Sequence, residues 1–317
     1  MGKALACLLL AAAGMLLAGA AQAQVPRAFV AAQGSDTNAS LNCSLAQPCR
    51  TFQAAVGVVN AGGEVVALDS AGFGAVTIGK SVAITAPPGV YASIAVLSGN
   101  GVTIATSGVQ VTLTGLTIEG PAGNTGASSF GVNMSAGTAL NIENCVISNF
   151  TVGNGLPGSS SGVNVTTPAR VRIAGSVIRN NFFGVYVDAG AQLDVLRTQM
   201  LDNFSAGVLV DASTAATTHA TVTESLVSNS GWGLAVNPTP TTGNAQLAAF
   251  RTTLSANGIG AIAQGANTAL TLSECMLAGN KYAYSVALGA LESLGNNTIR
   301  QNSNLSLEGS LTVVPPM

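Results

Sequence analysis

Along the second half of the chain, apolar and polar residues alternate in short runs that restart about every 22 to 28 residues. Each unit opens on a glycine, and the clearest copies are Gly131-Val132-Asn133-Met134, Gly162-Val163-Asn164-Val165, Gly184-Val185-Tyr186-Val187 and Gly207-Val208-Leu209-Val210. Weaker copies begin at Gly233 and Gly260, and the units close on Asn149, Asn181, Asn203, Asn229, Asn257, Asn280 and Asn302. Inside a unit the period is two, as in Leu140-Asn141-Ile142, Val171-Arg172-Ile173, Leu193-Asp194-Val195 and Leu270-Thr271-Leu272. A strand sends such neighbours to opposite faces, so these runs predict strands with one face inside and one outside. Gly, Asn, Asp and Ser between the runs tolerate tight turns and positive φ. No unit holds a 3.6-period stretch long enough for a helix, which excludes helical repeats. Three short strands per unit, stacked unit on unit, predict an all-β parallel β-helix. The closing asparagines then pin one corner, each amide bonding to the next.

These Gly-Val-x-Val and closing-Asn copies resemble the right-handed parallel β-helix proteins of the pectin-lyase-like superfamily, over residues 29–310. The resemblance implies a single-stranded right-handed solenoid with three strands per coil. It also implies a short helix capping the first coil, which matches the near-helical spacing of Phe52, Val56 and Val59, with Gly62-Gly63 able to end it. The family includes polysaccharide lyases, galacturonan hydrolases, pectin esterases and carbohydrate-binding repeats, so fold alone does not select an activity. The galacturonan-hydrolase motifs are absent, and Arg172-Ile173 is followed by Ala174.

Lys3, an apolar run and Ala21-Gln22-Ala23 make residues 1–23 a secretory signal peptide. The expected order is then a disulfide loop and cap over 24–63, the solenoid over 64–310 and a tail over 311–317. After cleavage no membrane span is expected, and the protein is read as secreted or periplasmic. In that compartment Cys43 and Cys49 are expected to form a disulfide, with metal binding as the competing reading. Cys145 and Cys275, about five coils apart, are too distant to bond and are read as buried fillers.

Charged residues make up 8% of the 317, with a net charge of −2, so no basic stripe for nucleic acid is present. The same balance argues against tight capture of a polyanion, leaving a polysaccharide or envelope glycan as the expected partner. The strongest chemical signal is Asp188 and Asp211, each directly after its Gly-Val-x-Val copy, in a column with Ser135, Thr166, Asn237 and Gln264. Stacked about 5 Å apart, two carboxylates raise one pKa or recruit a cation such as calcium, the one cofactor considered. That spacing also suits a retaining glycosidase, while turn hydrogen bonding is the plain alternative. No metal ligand set is recognised.

Arg170, Arg172, Arg179 and Arg197 cluster over two coils, and Arg172 is expected to pair with Asp194 across strands. His219 is read as lying in a solvated insertion. Tyr186, Asn237 and a turn-borne Trp232 are the candidate ligand-binding residues, and Phe150, Phe182 and Phe204 are expected to stack inside. Two readings follow: a non-catalytic β-helix presenting a polar surface to glycans, favoured by the sparse motifs, or a polysaccharide lyase or glycoside hydrolase using Asp188 and Asp211.

Overall fold

The protein is described by a computed structural model covering residues 25–120, 128–152, 159–237 and 243–315. The segment read as a signal peptide lies outside the described residues. Among those residues the strands form three parallel sheets, each made of one strand per coil. Sheet A has twelve strands, from Val25–Val30 and Val59–Ala67 to Thr312–Val313; sheets B and C have ten each. One coil runs through Ser161–Val165 in sheet B, Arg170–Ala174 in sheet A and Val177–Arg179 in sheet C. The next coil repeats the path through Phe183–Val187, Gln192–Leu196 and Gln199–Leu201. The last rung, Thr312–Val313, falls within the stretch read from the sequence as a tail and pairs with Glu292 and Ser293.

Register places like on like. Val163, Val185, Val208 and Leu234 stack in sheet B, while Val171, Leu193, Ala220 and Leu247 stack in sheet A. In sheet C, Ile147, Ile178, Met200 and Val227 do the same, and all twelve residues are buried. At about 25 cal/mol per Å² of apolar area, each fully buried Leu, Ile or Val contributes about 1.5–3 kcal/mol before entropy is counted. The opening glycines have a steric cause. A Cβ on Gly162 would lie 2.8 Å from the Gly184 carbonyl oxygen of the next coil and 2.8 Å from Ile178 Cγ2.

The amide corner is real but interrupted. Asn181 Nδ2 donates to Asn203 Oδ1 at 3.1 Å, Asn257 to Asn280 at 3.1 Å and Asn280 to Asn302 at 2.9 Å. Asn149 and Asn229 are not members. Each sits one residue early, at positive φ of 71° and 54°, and Phe150 and Ser230 fill the ladder positions. A parallel column of small polar residues runs Ser176, Thr198, Ser225, each hydroxyl accepting the main-chain N–H of the preceding coil. Cys145 and Cys275 occupy this column, five coils apart, buried and unpaired as thiols.

At the amino end, Phe52–Val58 forms a helix whose Thr51 hydroxyl accepts the Ala54 N–H at 3.2 Å. Phe52, Ala55, Val56 and Val58 turn inward and close the first coil, with Phe52 5.0 Å from Phe73. Gly62 and Gly63 do not end the helix; they lie in the following strand, Val59–Ala67. Cys43 and Cys49 are disulfide-bonded and buried beside it. Among the described residues no helix is long and apolar enough to cross a membrane.

Candidate functional site

Two outward faces carry polar side chains in register. On sheet A, Arg170, Gln192, His219 and Gln246 form one row, and Asn141, Arg172, Asp194 and Thr221 form the next. Small residues border them, Ala139 before Arg170 and Ala248 after Thr221. The result is an open trough of about 630 Å³. Arg172 bonds Glu143 at 2.9 Å and lies 4.0 Å from Asp194, the expected cross-strand pair, worth about 1 kcal/mol or less at this exposure. Asp194 also accepts from the Thr221 hydroxyl at 2.7 Å. Arg170 is exposed, and among the described residues no carboxylate forms an ion pair with it.

His219 is therefore not in an insertion. It lies within strand Thr217–Thr223, directly between Gln192 and Gln246, and is exposed on the trough. Aligning Leu193-Asp194-Val195 with Ala220-Thr221-Val222 brings His219 opposite Gln192, a signal the Thr-rich stretch hid. The arginine cluster divides: Arg170 and Arg172 face the trough, Arg179 ends a strand of sheet C, and Arg197 sits at a turn with φ 47°.

On sheet B, the residues after the Gly-Val-x-Val strands stack as the spacing implies, because Val187 pairs with Val210 and Asp188 and Asp211 follow. Both are buried, at 5% and 2% exposure. Asp188 accepts the Ala189 N–H at 2.5 Å, the Ser213 N–H at 2.7 Å and the Ser213 hydroxyl. Asp211 accepts the Ala212 N–H at 2.7 Å and the Tyr186 hydroxyl at 3.1 Å. Tyr186 points outward from the solenoid, yet it is 3% exposed within an apolar cluster containing Phe182, Phe183, Leu209 and Ile262. Trp232 is half-buried against the same cluster and begins a strand, Trp232–Val236, rather than occupying a turn. Asn237 is half-buried, its N–H bonded to the Val210 carbonyl. The three phenylalanines do not stack inside. Phe150 is in the core, Phe182 joins the outward cluster, and Phe204 is 76% exposed.

Burial, followed by the negative charges of Asp211 and Asp188, raises the Tyr186 hydroxyl well above its ordinary value of 10.0. The folded state thus favours the protonated phenol. Its contribution is fully present below about pH 10 and is lost as pH rises above that toward the folded value. Burial likewise pushes the Cys145 thiol up to about 11, adding a loss that begins near pH 9. Stability should fall by about 1.4 kcal/mol per pH unit for each such group while it titrates in the unfolded chain alone. Urea unfolding of Tyr186→Phe at several alkaline pH values should show the slope above pH 10 reduced by one proton, with the Cys145 part retained.

Among the described residues no group of three His, Cys, Asp or Glu side chains gathers as a metal site.

A family model described as a right-handed β-helix region matches residues 93–304. The chain belongs to this right-handed β-helix family. No curated protein matches the sequence. Among solved structures, the fold is similar to that of a pectate lyase, with a TM-score of 0.58 at 14% identity over 92% of this chain and 78% of that one. It also matches the A-module of a mannuronan C-5 epimerase from Azotobacter vinelandii, with a TM-score of 0.45 at 13% identity over 90% and 96% of the two chains. At these identities the likeness concerns the path of the backbone. The β-helix family supplies sheets A, B and C, while the chemistry rests on this chain's own side chains.

Proposed function

We propose that the protein is a carbohydrate-active β-helix, a lyase that acts on an acidic polysaccharide lying along the sheet A trough. The supporting observation is the company His219 keeps. The chain's sole histidine lies exposed in the same row as Arg170, two strand spacings or about 10 Å away at the backbone. Side chains of that length have the reach to touch one sugar ring lying over Gln192 from opposite sides. A guanidinium binds a uronate carboxylate in two-pronged fashion and stays charged, whereas an imidazole accepts a proton. In this reading Arg170 holds the carboxylate and acidifies the adjacent C5 proton. His219 takes that proton, the C5 electron pair forms the C4=C5 double bond, and the O4–C4 bond breaks, O4 taking up a proton from water as it leaves on the end of the preceding chain.

Elimination is preferred to hydrolysis for a geometric reason. Hydrolysis needs two carboxyls flanking the scissile bond. Asp194, the carboxylate lining the trough, and Glu143 beside it both already face Arg172. Asp188 and Asp211 are buried and spend their oxygens on turn amides and hydroxyls, so we assign them to holding the sheet B turns. The enzyme reading is preferred to a non-catalytic surface because a cation and a proton acceptor share one open face, and the similar pectate lyase works on a polysaccharide with the same backbone fold. The overall charge of −2 argued against a polyanion, but local placement matters more than the total at this range. The disulfide supports an oxidising compartment, consistent with secretion directed by residues 1–23.

The test is incubation of the protein with polygalacturonate, alginate and other uronate polymers, with and without calcium, while unsaturated uronate ends are followed by ultraviolet absorbance. New unsaturated ends with at least one polymer are expected. Reducing ends appearing without unsaturation would replace the lyase by a hydrolase, and no cleavage in any arm would return the protein to the non-catalytic class.

A further inference from the structure

We propose a second glycan-binding site, for neutral pyranose units, at the corner between sheets C and B, away from the sheet A trough. Its centre is Phe204, directly after the ladder residue Asn203 and 76% exposed. A large ring left in water is uninformative by itself, but this one is held. Its ring centroid lies 5.5 Å from that of Phe182, which is buried and stands edge-on to Phe183 at 4.9 Å. The ring is therefore backed on one side by packed aromatics. Beside it lies a cavity of about 410 Å³ whose outward polar walls are Thr151, Asn180, Asp202 and Asn229, with the ladder residues Asn181 and Asn203 also lining it.

The chemistry of that wall matches a sugar. A pyranose offers C–H groups on one face and hydroxyls around its rim. The C–H groups carry slight positive charge and pack on the negative face of an aromatic ring. The hydroxyls need adjacent donors and acceptors. Asp202 accepts the Asn229 amide at 2.6 Å through Oδ1, and Oδ2 remains for a sugar hydroxyl. Asn180, Asp202 and Asn229 occupy successive coils at the same positive-φ position, so their side chains form an outward row one strand spacing apart. This row is the outward counterpart of the inward amide ladder, one residue earlier in each coil. Among the described residues no cation lines the cavity and the one charge there, Asp202, is negative, so a neutral hexose is accepted and a uronate is repelled. The arrangement suits a chain bound across coils, parallel to the solenoid axis.

Electrophoresis of the native protein through gels containing a soluble neutral glucan or a soluble galactomannan tests the site, with polygalacturonate as the acidic arm. Retardation by at least one neutral polymer is expected. Phe204→Ala should weaken it about tenfold, equal to about 1.4 kcal/mol, and Phe204→Tyr should restore it. Because Phe204 is exposed, the Ala variant should fold normally, which its unfolding midpoint checks. Arg170→Ala and His219→Ala should leave the neutral retardation unchanged, so failure of the trough reading and failure of this one are separable. The proposal is overturned if neither neutral polymer retards the protein, if Phe204→Ala migrates like the parent, or if the trough variants abolish the retardation.

Discussion

Asn280→Ala should destabilise the solenoid by about 3–5 kcal/mol, while Asn229→Ala should cost only about 1 kcal/mol, as urea unfolding will register. The two residues look equivalent in the sequence and differ in register. Asn280 is fully buried; its amide donates to the Leu254 carbonyl and to Asn302, both at 2.9 Å. Its carbonyl accepts the Asn257 main-chain N–H at 2.9 Å and side-chain amide at 3.1 Å. Truncation leaves two buried donors and one acceptor without partners, at about 1–3 kcal/mol each, reduced where water enters the cavity. The Asn229 side chain points outward and bonds Asp202 at 2.6 Å, where water replaces it, so what remains is mainly the cost of an alanine at φ 54°. Equal losses from the two substitutions would mean that the corner is not held by amides.

The second large effect is catalytic. His219→Ala should lower the rate of uronate elimination by about 10²- to 10⁴-fold, the usual worth of a positioned general base. Binding of the polymer should be nearly unchanged, so the loss falls on kcat. Arg170→Ala should act differently, raising KM as well, because the guanidinium binds the carboxylate in the ground state and also stabilises the charge that develops on it. Neither side chain is buried, so folding is spared. A parallel assay of Asp211→Asn gives the contrast: a residue that holds a turn costs stability, and rate is lost only as the fold weakens. If that variant keeps its fold and loses turnover while His219→Ala stays active, chemistry belongs to sheet B rather than sheet A.

What was legible in the chain is what depends on neighbours in sequence. Alternation of period two is visible in Leu193-Asp194-Val195 because side-chain direction along a strand follows from the backbone alone. Repetition of that pattern implied stacking, and stacking put Arg172 beside Asp194 and Cys145 five coils from Cys275. The cap was legible for the same reason, since Phe52 and Val56 share one face of a short helix.

What the sequence could not supply is register across coils of unequal length. Unit lengths near the corner run 22, 27 and 23 residues between bonded partners. Counting asparagines therefore chose Asn229 over Ser230, and a shift of one residue exchanges an inward amide for an outward one. The same uncertainty sent Phe204 inside and His219 into a loop. Only the folded solenoid decides these, because each depends on which side chains from separate coils meet, about one strand spacing apart, and on which face of the sheet they meet.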